Sequence, residues 1–254
     1  MNNAMFDLTG KKAVIVGGAG DLGQSMVEGL AACGAQVAII GRGERTKAAV
    51  QTLCGQGYKA HAVLADIADR AKIDASFAEA LRVLGGRVDI LLNTAGVQRR
   101  HPAETFPLSD WDEVIAVNLT ALYRYCQLAG AHMIENGYGK IINIASMLSF
   151  FGGFTVSAYA ASKGGVAQLT KALSNEWASK GVNVNAIAPG YMDTKMNTAL
   201  INDSGRNAEI LGRIPQRRWG TGEDMKGAVV FLASAASDYV NGAIIPVDGG
   251  YLGK

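Results

Sequence analysis

Ala13-Val14-Ile15-Val16-Gly17-Gly18-Ala19-Gly20-Asp21-Leu22-Gly23 decides the reading of this chain. A short apolar, β-rich run ends in a glycine cluster, and an amphipathic stretch opens at Asp21. Strand, tight turn and helix in that order predict the start of a βαβ unit. Glycine lets the backbone turn sharply and approach a ligand closely. The helix N-terminus then presents unpaired N–H groups, a setting suited to a pyrophosphate. With 32 glycines in the chain, the context and not the cluster carries this weight.

Outward from that stretch the same rhythm recurs. Apolar runs fall at Ala13–Val16, Gln36–Ile40, Lys59–Leu64, Asp89–Asn93, Lys140–Ala145, Asn183–Ala188 and Ala243–Val247. Amphipathic stretches begin near Asp21, Glu44, Asp69, Ser109, Val156 and Gly222. The alternation predicts an α/β, Rossmann-like, doubly wound parallel seven-stranded sheet with helices on both faces. The sequence shows no repeat, low-complexity tract or linker, so residues 1–254 read as one dinucleotide-binding domain. One segment breaks the rhythm: residues 191–215 follow a strand, read as helical, and exceed what a tight connection needs. Ligands in such folds sit beyond the carboxyl ends of the strands, so this segment is expected to be a substrate lid.

Composition narrows the function. Net charge is +2 and no block of like charge occurs, which argues against a nucleic-acid partner. The Met1–Lys12 segment lacks an apolar signal core, and no apolar run is long enough to span a membrane. A cytoplasmic protein is expected. The mean hydropathy of +0.13 fits a sheet buried on both faces. Cys33, Cys54 and Cys126 are too scattered for a disulfide framework, and the patterns around Cys33 and Cys126 suggest buried thiols. With His61, His101 and His132 they form no metal-ligand spacing, so no metal is expected.

Tyr159 and Lys163 stand four residues apart at the start of a helical stretch and share one face. A tyrosine titrates near about 10, too high for a good base at neutral pH. A nearby ammonium should lower that value and let Tyr159 exchange a proton with an alcohol or carbonyl oxygen. Ser146, at a strand end, is placed to hydrogen-bond the same oxygen. The chain holds two Tyr-x-x-x-Lys pairs, the other being Tyr191 with Lys195. Ser146 lies thirteen residues before Tyr159, whereas Ala178 lies thirteen before Tyr191, which selects the first pair. Tyr191 is expected only to line the substrate pocket.

Near the second strand end the chain reads Gly41-Arg42-Gly43-Glu44. An acidic residue there would favour NAD through the adenosine ribose, whereas Arg42 is suited to a 2′-phosphate. Arg99 and Arg100 follow Asn93–Gly96 at another strand end, where a guanidinium can grip a carboxylate.

Gly17–Gly23, Asn93-Thr94-Ala95-Gly96, Asn118, Ser146, Tyr159-Ala160-Ala161-Ser162-Lys163, Pro189-Gly190 and Asp248-Gly249-Gly250 occur in order along the chain. With them the sequence resembles the short-chain dehydrogenase/reductase family over essentially its whole length. The resemblance implies an NAD(P)-dependent oxidoreductase acting on CH–OH groups, with NAD(H) or NADP(H), in which Tyr159 is the acid/base and Ser146 orients the carbonyl. It implies that Lys163 binds the nicotinamide ribose and that Asn118 holds a proton-relay water. It implies further that Gly17, Gly20, Asp21, Leu22 and Gly23 meet the cofactor and that Asp66 and Ile67 flank the adenine. Asn93, Ala95 and Gly96 would support the cofactor, Pro189 and Gly190 would line its site, and Ile187 and Thr194 would hold the nicotinamide amide. A homotetramer is implied as well.

Two positions depart from the family pattern. Val16 replaces a usual threonine, removing a side-chain hydrogen bond between strands. Asp21 replaces the middle glycine, where its carboxylate should cap the helix yet repel a pyrophosphate. The stretches Ile141–Phe150, 175–178, Asn183–Met192, 213–220 and Ser237–Gly242 resemble the branch of the family that oxidises 2-deoxy-D-gluconate or 2-dehydro-3-deoxy-D-gluconate, with gluconate 5-dehydrogenase a near neighbour. They imply a keto-sugar acid. A polyol or 3-oxoacyl substrate, or an inactive nucleotide-binding scaffold, are the competing expectations.

Overall fold

The computed structural model describes residues 4–253. Seven strands, β1 (Lys12–Val16), β2 (Gln36–Gly41), β3 (Ala60–Leu64), β4 (Ile90–Asn93), β5 (Gly139–Ile144), β6 (Val182–Pro189) and β7 (Ile244–Val247), form one sheet. Their order is β3-β2-β1-β4-β5-β6-β7 and every pairing is parallel. The helices are α1 (Asp21–Ala32), α2 (Gly43–Gly55), α3 (Arg70–Val83), α4 (Leu108–Ile115), α5 (Leu122–Glu135), α6 (Ser157–Trp177), α7 (Thr198–Asn202), α8 (Ser204–Arg213) and α9 (Gly222–Ala233). This is the Rossmann-like doubly wound sheet the sequence predicts. None of the described helices is long and apolar enough to cross a membrane.

The five inner strands are mainly apolar because they are covered on both faces, whereas the edge strands β3 and β7 are only partly buried. On β1, Ala13 and Ile15 enter a core layer with Met26, Leu30 and Val229, while Val14 and Val16 enter the opposite layer with Phe77, Tyr125 and Val166. Buried residues contribute roughly 25 cal/mol per Å² of apolar surface removed from water, so both layers hold the sheet. Cys126 is buried in one layer, Cys33 is half-buried, and Cys54 is exposed.

The strand order reverses between β1 and β4, and a crevice opens there beyond the strand ends. The Val16 carbonyl accepts from both Thr94 N–H and Ala95 N–H at 2.9 Å, tying β1 to the loop after β4. Val16 itself is buried among apolar neighbours. The missing threonine hydroxyl is therefore offset by main-chain bonds and core packing.

Two segments depart from simple periodicity. The helical stretch expected from Ser109 is broken: α4 runs into a π-helical turn, Ala116–Ala121, before α5. Such turns re-aim side chains and cluster at functional sites. The segment 191–215 is helical as read, holding α7 and α8. A small satellite cluster of Met147, Ile210, Ile214 and Tyr251 anchors it, and the Met192–Gly220 bridge closes its base.

Gly17 shows how tight the crevice floor is. Its φ is +87°, and a Cβ there would lie 2.6 Å from the Ala95 N and Cα atoms. Gly17→Ala is expected to cost about 2 kcal/mol through backbone strain and collision. The thermal midpoint should then fall by roughly 4–8 °C. A melting curve unchanged from wild type would contradict this account of the turn.

Candidate active site

Three cavities line up along the carboxyl edge of the sheet. The first, ≈ 370 Å³, is walled by Gly17, Gly20, Arg42, Arg45, Asp66, Ile67, Ala95 and Gly96, among others. The second, ≈ 200 Å³, is walled by Gly20, Asp21, Leu22, Gly23, Ser146, Tyr159, Lys163, Pro189, Gly190, Met192 and Thr194. The third, ≈ 390 Å³, lies under the segment 191–215. Gly20, Thr94 and Gly96 border both the first and the second, so these two form one elongated groove.

That groove fits a dinucleotide. A Cβ on Gly17 would strike Ala95, and one on Gly23 would strike the Gly17 carbonyl at 2.8 Å, so the cradle exists only because both are glycine. Gly20 caps α1, directing the helix N-terminus into the groove. At the far end Arg42 lies 3.8 Å from Asp66, both solvent-facing. Arg45 lines the same end and was not singled out in the sequence.

Asp21 does not stand bare at the cradle as expected. Its Oδ1 accepts from Arg45 Nη2 at 2.7 Å, and its Oδ2 accepts from the Lys195 N–H at 2.8 Å. The negative charge is thus shielded within the protein, and the expected repulsion is the wrong emphasis.

Tyr159 and Lys163 project from the first turns of α6 toward the end of β5, as their spacing dictates. Lys163 is buried and donates from Nζ to the Ile144 carbonyl at 2.6 Å. Burial pushes its pKa down to about 8. Tyr159 is held above its ordinary value, chiefly by burial, with a hydrogen bond from Ser146 opposing. The expectation that Lys163 depresses the tyrosine is corrected here: Nζ stands 5.6 Å from the Tyr159 ring centre and spends a proton on Ile144, so desolvation prevails.

Ser146 accepts the Leu148 N–H at 3.1 Å, which leaves its own hydroxyl proton to donate. Ser149, missed in the sequence, accepts the Ser146 N–H at 3.3 Å and donates to the Lys163 carbonyl at 2.7 Å. It fastens the serine to the catalytic helix.

Other expected residues take different posts. The Asn118 side chain lies in the π turn, fully buried, accepting Val97 N–H at 2.8 Å and donating to Val97 O at 2.9 Å and Ser162 Oγ at 3.2 Å. Its amide shapes the loop after β4. Asn93 is buried and donates to Asn143 at 2.9 Å, supporting the groove from beneath. Ile187 is a correction: it sits within β6, fully buried, with its carbonyl taken by Ala145 N–H at 2.8 Å. Met192 lines the groove where Ile187 was expected.

The third cavity is walled by Arg100, Ser146, Tyr159, Tyr191, Arg213 and Tyr251, among others. Ser146, Tyr159 and Gly190 border both it and the groove. Arg100 and Arg213 make no ion pair with a described residue, and the Arg213 guanidinium lies 4.6 Å over the Tyr251 ring. Arg99 is a correction: it is bound to Glu113 at 2.7 Å and stays out of this cavity. Arg213, not singled out in the sequence as a substrate residue, lines it instead. The turn Asp248-Gly249-Gly250 delivers Tyr251, whose ring stacks on Phe151 at 5.8 Å and meets Tyr191 edge-on at 5.4 Å.

A family profile described as Enoyl-(Acyl carrier protein) reductase matches residues 17–252. The chain belongs to the short-chain dehydrogenase/reductase family. Within that family it is 47% identical over 253 residues to a 2-dehydro-3-deoxy-D-gluconate 5-dehydrogenase of Escherichia coli, covering 98% of each chain. It is 43% identical over 251 residues to the 5-keto-D-gluconate 5-reductase of the same organism, again covering 98% of each. A crystal structure from Agrobacterium tumefaciens, proposed to be a 2-deoxy-D-gluconate 3-dehydrogenase and holding NADP, matches with a TM-score of 0.91 and 48% identity. That match covers 98% of this chain and 99% of the other.

The depressed lysine makes stability pH-dependent. The unfolded chain binds this proton up to the usual 10.5, while the folded protein releases it near 8, so the burial penalty is lifted as pH rises through that window. Wild type should therefore gain stability over Lys163→Met between pH 8 and 10.5. Urea unfolding of both proteins across that range checks it; a constant difference would refute the shift.

Proposed function

We propose that this protein is an oxidoreductase interconverting a secondary alcohol and a ketone on a sugar acid of the 2-deoxy-D-gluconate or 2-dehydro-3-deoxy-D-gluconate type, with NAD(H) or NADP(H). The observation that carries the proposal is the shared wall: Tyr159 and Ser146 border both the dinucleotide-shaped groove and a cavity with two unpaired arginines. The names of the relatives support the sugar-acid class.

The nicotinamide, when bound, supplies or accepts the hydride. Gly17, Gly20, Leu22 and Gly23 would hold the diphosphate, Arg42, Asp66 and Ile67 the adenosine, and Lys163, Pro189, Gly190 and Thr194 the nicotinamide half. In reduction, the Tyr159 hydroxyl gives its proton to the ketone oxygen as charge develops there. Its raised pKa suits it to be the protonated acid. Ser146 would turn its hydroxyl proton from Tyr159 to the same oxygen and stabilise the negative charge. Lys163, pinned to Ile144, keeps a positive potential beside the phenol. In oxidation the proton returns from the alcohol to Tyr159.

Arg100 and Arg213, which line the far cavity, would bind the substrate carboxylate, Tyr191 and Tyr251 would pack on its carbon chain, and residues 191–215 would act as lid. No helix among the described residues is long and apolar enough to cross a membrane. The homotetramer that the family resemblance implies would be tested by sedimentation.

A spectrophotometric screen of keto-sugar acids with NADH and NADPH tests the function directly. Tyr159→Phe should lower kcat by about 100- to 10,000-fold while leaving NADPH binding intact. A Tyr159→Phe enzyme as fast as wild type would overturn the assignment. Arg100→Ala and Arg213→Ala should each raise KM for the sugar acid about tenfold and leave KM for an uncharged ketose nearly constant. Arg42→Ala should lower kcat/KM for NADPH more than for NADH; equal losses would exclude a 2′-phosphate contact.

A further inference from the structure

Asp21 joins three elements that are remote in sequence. It occupies the first turn of α1, its Oδ1 accepts from Arg45 in the first turns of α2, and its Oδ2 accepts from the main chain of Lys195, 174 residues away. Lys195 follows Thr194, and Thr194, Met196 and Asn197 wall the middle cavity. Arg45 walls the adenosine end. The carboxylate thus spans the groove at its midpoint, between the turn expected to hold a diphosphate and the entry to the lid.

We infer that Asp21 is a positioning residue: a latch that holds the start of the lid over the cofactor groove, with Arg45 screening its charge from the diphosphate. This rests on the dinucleotide site proposed above. A bare carboxylate in the first turn of α1 is favoured by the helix dipole, yet it faces the place where phosphate charge must enter. The geometry resolves the conflict. One carboxylate oxygen is neutralised by a guanidinium at 2.7 Å, and the other holds a backbone amide at 2.8 Å, a bond that a glycine at this position cannot make. Arg45 makes no other ion pair with a described residue, so its charge is committed to this post. The pair is partly solvent-facing, which keeps it breakable when the lid must open.

The latch predicts an order of affinities that loss of a simple surface contact would not give. NADH, which lacks a 2′-phosphate, is titrated by fluorescence into wild type, Asp21→Ala, Asp21→Asn, Arg45→Ala and the double variant Asp21→Ala/Arg45→Ala. Exchange of the Lys195 amide is followed by mass spectrometry. Asp21→Ala should bind NADH about tenfold more weakly and expose the Lys195 amide. Asp21→Asn retains an acceptor oxygen and should restore amide protection. Arg45→Ala should be the weakest binder, because it leaves the carboxylate unscreened, and removing Asp21 in that background should recover part of the loss. KM for the nicotinamide cofactor should rise in Asp21→Ala more than KM for the sugar acid. NADH binding in Asp21→Ala equal to or tighter than wild type, or an unaltered Lys195 amide, would overturn the latch. A wild-type protein that binds neither NADH nor NADPH would remove the dinucleotide site itself, and the latch with it.

Discussion

The bond from Lys163 Nζ to the Ile144 carbonyl is the constraint around which the site is arranged. It binds α6 to the carboxyl end of β5, and so fixes where the phenol one turn earlier can sit. The adjoining residues follow from it. Ser146 lies just past the same strand end, and Ser149 ties Ser146 to the main chain of Lys163. An ammonium buried this deeply is costly unless its hydrogens are taken. One is taken by Ile144, and the cost of the remainder is expressed as a pKa near 8. Burial therefore draws the lysine's pKa down and the tyrosine's up. That combination suits proton donation to a ketone, and it leaves oxidation of an alcohol dependent on whatever further positive charge enters the groove.

The sheet serves this arrangement by bringing strand ends together. The crossover between β1 and β4 opens the crevice, and two backbone bonds to Val16 close its floor. The glycine cradle then follows from distance. At 2.6 Å from Ala95, no side chain fits at residue 17. Gly190 is subject to the same constraint, since a Cβ there would lie 2.6 Å from the Asp248 Cα. That packing brings the C-terminal turn across the far cavity and places Tyr251 in its wall.

Much of this was legible in the sequence because it depends on local order. Strands buried on both faces must be apolar throughout, so their runs and the observed elements agree to within a residue or two. Tyr159, Lys163 and Ser146 follow from helix spacing and a strand end. What escaped the sequence depends on long-range contacts. Arg99 and Arg100 are adjacent, yet only the neighbour Glu113 settles that Arg99 turns away. Arg213 shows no role in the sequence until Tyr251 is packed beneath it. The π turn at Asn118 leaves no mark in periodicity, and its amide is bonded to Val97. Asp21 read as a repulsive charge because its partners lie 24 and 174 residues away.

The same long-range pairing explains how a chain of net charge +2 manages two anions in one crevice. A dinucleotide and a sugar acid must lie side by side, so their negative charges need separate counterparts. Arginines stand at both ends of the row of cavities: Arg42 at one end, where Arg45 is already committed to Asp21, and Arg100 and Arg213 by the far cavity. Between them the cradle relies on backbone N–H groups and a helix N-terminus, which attract phosphate without adding a formal charge. Arginines that would blur this division are taken up by acids, as Arg99 is by Glu113 and Arg206 by Glu209. The unpaired guanidiniums of the far cavity are thus the ones left with charge to offer, and the carboxylate of a sugar acid has the size and sign to meet them.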